Sequence, residues 1–271
     1  MSDARLVYVY CVSAPGVEAA LAPLEGLEPG LAPYAIAAPP APGLVAVASD
    51  VPAAGYAEDA LRARLLDLDW TGAKGVAHER VVETCFLAAP TVPFRFCTIF
   101  ADRGRVEGLL ARHGERLAEI LRALAGKAEW GLRAYVDRAR FEAHHAAERA
   151  AAARPAAAGQ GKGAGRAYLE AKKAKEDARR AAGDALAGAL ASVYAAHEAM
   201  ADDAVRQPAG DAGELALKAA FLVPLERRAG FEAAAAAERA RRAPQGIDVR
   251  VTGPWPPYAF VPRLEREEAN A

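Results

Sequence analysis

The stretch Gly253-Pro254-Trp255-Pro256-Pro257-Tyr258-Ala259-Phe260-Val261 restricts this chain more than any other. Three prolines fix φ and remove amide donors, so the run is neither a central strand nor a helix interior. An extended, rigid, apolar ribbon is expected. Ile247 to Thr252, just before it, alternates apolar and polar residues like a half-buried strand. A strand that feeds a stiff aromatic ribbon predicts a packing or docking element rather than a catalytic loop. Packing across the sheets is the simpler reading for Trp255, Tyr258 and Phe260, and an exposed apolar strip is the sharper one.

Other strand patterns precede it. Leu6 to Val12 is apolar throughout and predicts a strand covered on both faces. A short strand is expected near Tyr34–Ala37, and a further one over Leu44–Ala48, ended by Asp50 and Pro52. Pro93-Phe94-Arg95-Phe96-Cys97-Thr98-Ile99-Phe100 lies within a strand predicted from Val92 to Ile99, and Asp102 stands where a helix cap would. Glu129 to Asp137, Leu215 to Val223 and Ile247 to Thr252 complete the strands. Between them, Glu58 to Trp70 reads as a helix with Leu61, Leu65 and Leu68 on one face. Gly72 to Thr84 continues helically with Val76, Val81 and Val82 inward. Arg103 to Ala125 carries the clearest amphipathic stripe, Val106, Leu109, Leu110, Leu117, Ile120, Leu121 and Leu124, with Gly126 as its stop. Helices are also expected over Arg138–Arg154, Ala167–Met200 and Pro224–Arg242, and a flexible low-complexity loop over Pro155–Gly163.

This order predicts an α+β chain of two ferredoxin-like domains, with small, mostly antiparallel sheets and long Ala-rich helices. The first covers 1–126. The second covers 127–271, with a long helical insertion and the Pro/aromatic tail. A length of 271 residues allows two such domains, and the hydrophobic share of 53% allows a core for each, although alanine inflates it.

Bulk properties exclude more than they assign. A formal net charge of -1 gives no electrostatic case for nucleic acid or an anionic membrane. No run approaches the ~20 apolar residues of a membrane span, and Met1–Arg5 lacks the form of a secretion signal, so a cytoplasmic protein is expected. Cys11, Cys85 and Cys97 have no CxxC spacing and read as reduced thiols in the interior.

No catalytic or metal constellation emerges. Gly159-Gln160-Gly161-Lys162-Gly163 resembles a phosphate loop but has Ala156 and Gly163 where a glycine and a Ser or Thr are needed, and no strand precedes it. His144 and His145 point about 100° apart on a helix, so one face cannot offer both to a metal. His78, His113 and His197 stand alone. Asp67 with Asp69, and Asp202 with Asp203, read as solvated helix ends. No enzyme activity and no cofactor is expected. Arg166, Lys172, Lys173, Lys175, Arg179 and Arg180 crowd one helix, either as a solvated face or as a docking surface for an acidic partner. Arg239, Arg241 and Arg242 form a second cluster.

The Pro93–Phe100 stretch, Glu129–Val136 and the Gly-Pro-Trp-Pro-Pro-Tyr run, in that order, resemble the GvpF/GvpL family of gas vesicle proteins. Tyr8-Val9-Tyr10, Gly165–Leu169 and Lys218–Val223 extend the likeness to nearly the whole chain. One departure is Cys97, where the family more often has glycine. The resemblance implies an accessory protein of gas vesicle formation that binds the hydrophobic shell protein GvpA and other Gvp proteins, as a transient chaperone or as a minor component retained in the vesicle. Arg166, Lys172, Lys173, Lys175, Arg179, Trp255, Tyr258 and Phe260 are the candidate partner-binding residues. The competing expectation is an enzyme or small-molecule-binding protein, since ferredoxin-like scaffolds host many functions.

Overall fold

The computed structural model describes residues 4–37, 43–152, 164–209 and 214–261; the side chains of 164–167 lie outside this description. The expected loop over Pro155–Gly163 falls outside it too. Contacts divide the chain into two units, Met1–Glu129 with Pro254–Ala271, and Trp130–Gly253. The ribbon from Pro254 onward therefore groups with the first unit, whereas the sequence reading attaches it to the second.

The first unit runs β1 (Arg5–Ser13), α1 (Glu18–Leu21), β2 (Tyr34–Ala37), β3 (Val45–Pro52), α2 (Ala53–Tyr56), α3 (Glu58–Arg64), α4 (Leu68–Ala88), β4 (Thr91–Pro93), β5 (Ile99–Phe100) and α5 (Arg103–Leu124). Its sheet has the order β2-β3-β1-β4, with β5 also on β1. β1 runs antiparallel to β3, β4 and β5, and β2 runs antiparallel to β3. This is the strand order of a ferredoxin-like unit. β1 is buried from Val7 to Ser13, as its unbroken apolar run requires. β3 continues past Asp50 because β1 pairs with it as far as Arg5↔Pro52. Tyr8, Tyr10, Val45 and Val47 of the sheet pack with Val81, Val82 and Cys85 of α4 and Val17 and Leu21 beside α1. α5 packs against β1, β2, β4 and β5 through the predicted stripe; Asp102 caps it by accepting from the Arg105 amide at 2.9 Å, and Gly126 follows it at φ +70°.

Three expectations for this unit are corrected. The helix expected over Glu58–Trp70 breaks at Leu65–Asp67, because the Asp67 carboxylate caps a new helix by accepting from the Asp69 and Trp70 amides. The break leaves Leu65 and Leu68 exposed rather than sharing an inward face with Leu61. Val76 is 62% exposed, not inward, since α4 turns His78, Val81, Val82 and Cys85 to the core. The strand expected over Val92–Ile99 is two short strands, β4 and β5, split by a turn in which Cys97 adopts φ +68°.

The second unit runs β6 (Lys127–Val136), α6 (Arg138–Ala152), α7 (Ala164–Glu198), β7 (Asp203–Gln207), β8 (Leu215–Pro224), α8 (Arg228–Arg242) and β9 (Ile247–Trp255), in the sheet order β7-β8-β6-β9. A single turn of 3₁₀ helix at Leu225–Arg227 precedes α8. Counted within the unit this is again 2-3-1-4. β6 buries every second residue, Ala128, Trp130, Leu132, Ala134 and Val136, as expected of a sheet packed on one face. Those from Trp130 onward meet Phe221 and Val223 of β8, Val193 and Tyr194 of α7, Phe231 of α8 and Phe141 of α6. The sequence reading places a helix end at Asp202–Asp203. Asp203 instead opens β7, a mostly exposed edge strand without apolar periodicity that forms by pairing with β8 from Asp203↔Leu222 to Gln207↔Lys218.

Candidate functional site

The basic residues lie on the first half of α7. Alanine, lysine and arginine favour helix there, but residues 168–180 are all exposed, so no side chain among them anchors that half to the core. Burial begins at Ala182 and continues through Leu186, Ala189 and Val193. Tyr168 is 70% and Leu169 66% exposed. Lys172, Lys173, Lys175 and Arg179 therefore reach solvent; the Arg166 side chain lies outside the described residues. Lys175 and Arg179 face α6 across a groove of about 360 Å³ that Glu142, His145, Ala146 and Arg149 also line. Of the second basic cluster, Arg241 and Arg242 pair with Glu238, holding its carboxyl below the usual range against the effect of burial.

The aromatic ribbon divides. Trp255 is 47% exposed, Pro256 and Pro257 are buried, and Tyr258 and Phe260 are half-buried in a short 3₁₀ turn. Tyr258 packs against the first unit's core. Its hydroxyl lies 3.2 Å from His78 Nε2 and donates to the Glu79 carboxylate. The Ala259 amide donates to Glu129 at 2.7 Å. The basic residues and the ribbon belong to different units.

Two features are not legible in the sequence reading. The first is a buried polar chain. The Cys97 amide donates to the Tyr8 hydroxyl at 3.1 Å, and that hydroxyl lies 2.8 Å from His78 Nδ1. With Tyr8 donating to Nδ1, the Nε2 proton faces Tyr258, Tyr258 donates to Glu79, and the Phe94 carbonyl offers the ring a further acceptor. Burial lowers the His78 pKa from 6.5 to about 4, so the ring is neutral at pH 7. Beside it the Tyr10 hydroxyl accepts from the Leu27 amide and meets Ser49 Oγ at 2.7 Å. The partners lie 70 and 180 residues from His78, so no local motif announces them. The second is a set of exposed apolar side chains along α4 and in the turn before it, with Leu66 at 84%, Leu68 at 82%, Val76 at 62% and Leu87 at 76% exposure.

Burial lifts the half-buried Cys97 thiol to about 11, leaving little thiolate at neutral pH. Cys11 and Cys85 are buried, and burial holds the Cys11 thiol well above its ordinary range. Among the described residues no three His, Cys, Asp or Glu side chains gather as a metal site requires. His144 pairs with Glu148 on its own helix and His145 stacks on Phe141. His197 is buried, with Nδ1 on the Val193 carbonyl at 2.7 Å, and Nε2 has no hydrogen-bond partner among the described residues. Among the described residues no helix is long and apolar enough to cross a membrane.

The family model described as gas vesicle synthesis protein GvpL/GvpF matches residues 6–262. A gas vesicle protein L of Streptomyces sp. (strain CB03234) is 32% identical, over 98% of this chain and 97% of its own length. A gas vesicle protein F of the same strain is 30% identical, over 80% and 84%. Among solved structures, GvpF from Anabaena sp. PCC7120 superposes with TM-score 0.66 at 18% identity, covering 94% of this chain and 95% of that one. GvpF from Microcystis aeruginosa gives 0.62 at 17%, covering 94% and 98%.

Proposed function

Because this chain belongs to the gas vesicle synthesis protein GvpL/GvpF family, we propose that it is an accessory protein of vesicle formation that binds the apolar shell subunit GvpA and other Gvp proteins during assembly. The observation that carries this reading is the match over residues 6–262, which spans both units. The physical need is simple: an apolar shell subunit exposed to water before assembly aggregates unless a partner covers it. Leu66, Leu68, Val76 and Leu87, with the exposed Trp255, offer apolar area for such a contact. Tyr258 packs on the first unit's core and holds the ribbon there.

Co-expression with GvpA tests this. The tagged protein is expected to co-purify with GvpA, and deletion of its gene is expected to reduce vesicle yield. Leu66→Asp with Leu68→Asp is expected to lower the GvpA recovered by about tenfold, the effect of losing two buried leucines at an interface. A chain that neither retains GvpA nor alters vesicle formation when deleted does not have this function.

A further inference from the structure

We propose that the groove between α6 and α7 is a docking site for an acidic amphipathic helix of a partner protein. The inference concerns a surface that the shell-binding reading does not use, and it stands without that reading.

The groove has helical periodicity on both walls. Glu142, His145, Ala146 and Arg149 recur at i, i+3, i+4 and i+7 on α6, and Lys175, Ala178, Arg179 and Ala182 do the same on α7. Ala146, Ala178 and Ala182 make an apolar floor of small side chains, so a third helix can approach closely and set its ridge between the two. Arg149, Lys175 and Arg179 border this floor against one carboxylate, Glu142. None of the three cations has a carboxylate partner among the described residues. Elsewhere in the protein helical arginines do pair at i,i+4, as Arg62 with Glu58, Arg103 with Glu107 and Arg228 with Glu232. The charge left uncompensated beside an apolar floor is the complement of a helix with apolar residues along one stripe and carboxylates flanking it.

Other occupants fit less well. Both walls are helices whose backbone amides are used internally, so an added strand finds no ladder to join. The floor likewise presents no amide donors, and a phosphate would have only mobile side chains to hold it. Lys172 precedes Lys175 by three residues and extends the basic rim along α7, whereas Lys173 and Arg180 are seven apart on another face.

The test is fluorescence anisotropy with a labelled synthetic peptide of about 21 residues, three heptads with Leu and Ala at a and d and Glu at the flanking positions. Binding that weakens with added salt is expected. Lys175→Glu with Arg179→Glu is expected to weaken it at least tenfold, about 1.4 kcal/mol, and the same peptide with Lys for Glu is expected to regain affinity for that variant. Lys173→Glu with Arg180→Glu makes the same charge change on the other face and is expected to cost less than about threefold. Circular dichroism checks that each variant is folded, and Lys175→Gln with Arg179→Gln replaces the reversal if it is not. No binding to the parent protein, equal losses from the two faces, or displacement of the peptide by inorganic tripolyphosphate at equal concentration would each overturn the proposal.

Discussion

At the scale of single residues, Cys97 and His78 carry the sharpest consequences. Cys97 is the one non-glycine residue with positive φ among the described residues, at 68°. A side chain in that region costs about 1–2 kcal/mol, and glycine escapes it at some cost in unfolded-chain entropy. Cys97→Gly is therefore expected to stabilise the protein by about 1 kcal/mol in urea unfolding. A loss of stability would show that the thiol's packing outweighs the backbone strain. The strand pattern hid this backbone conformation, which glycine adopts without strain. His78 makes stability depend on pH. Its folded pKa of about 4 lies below the ordinary 6.5, so the unfolded chain takes up the proton first as pH falls. The contribution is complete above pH 6.5, declines between 6.5 and about 4, and amounts to about 3 kcal/mol over that window. His197, also lowered by burial, acts in the same direction, whereas Glu28 and Glu238, held below 4.5, act at lower pH. His78→Gln is expected to flatten the curve of unfolding free energy between pH 7 and 4. An unchanged slope would remove His78 as its cause.

Among the elements, legibility followed the signal that each one's packing leaves in the chain. α5 meets a single sheet with one stripe, so its apolar spacing, its cap and its stop were readable together. Asp102→Ala is expected to cost about 1 kcal/mol in thermal or urea unfolding, since it removes the acceptor of the Arg105 amide. α4 is different. Leucine and valine lie around its circumference, so spacing alone does not tell Val76, which faces water, from Val81, which does not. β7 left no signal at all, because an exposed edge needs only the backbone of its neighbour. The basic half of α7 was visible as a run of charge. That Lys175 and Arg179 face Arg149 across an alanine floor depends on where α6 packs, which no local pattern states.

At the scale of the whole molecule, a residue near the C-terminus supports the unit that opens the chain. Tyr258 packs on the first unit's core and meets His78 and Glu79, and Ala259 bonds Glu129 beside it. Tyr258→Ala is expected to lower hydrogen-exchange protection of β1 and α4 while leaving β8 unchanged. Equal loss in β8 would mean that the tail stabilises both units alike. The amino-acid sequence alone determined the α+β class, the ferredoxin-like strand order, the position of α5 and the family, because these rest on periodicity, turn chemistry and ordered motifs, all local or collinear. Tertiary structure alone decided that the Pro254–Val261 ribbon joins the first unit, that His78 lies in a chain of hydroxyls, and that a basic run faces a groove. Those outcomes depend on side chains brought together from positions far apart in the chain, where burial removes water and leaves each polar atom to find its partner in space.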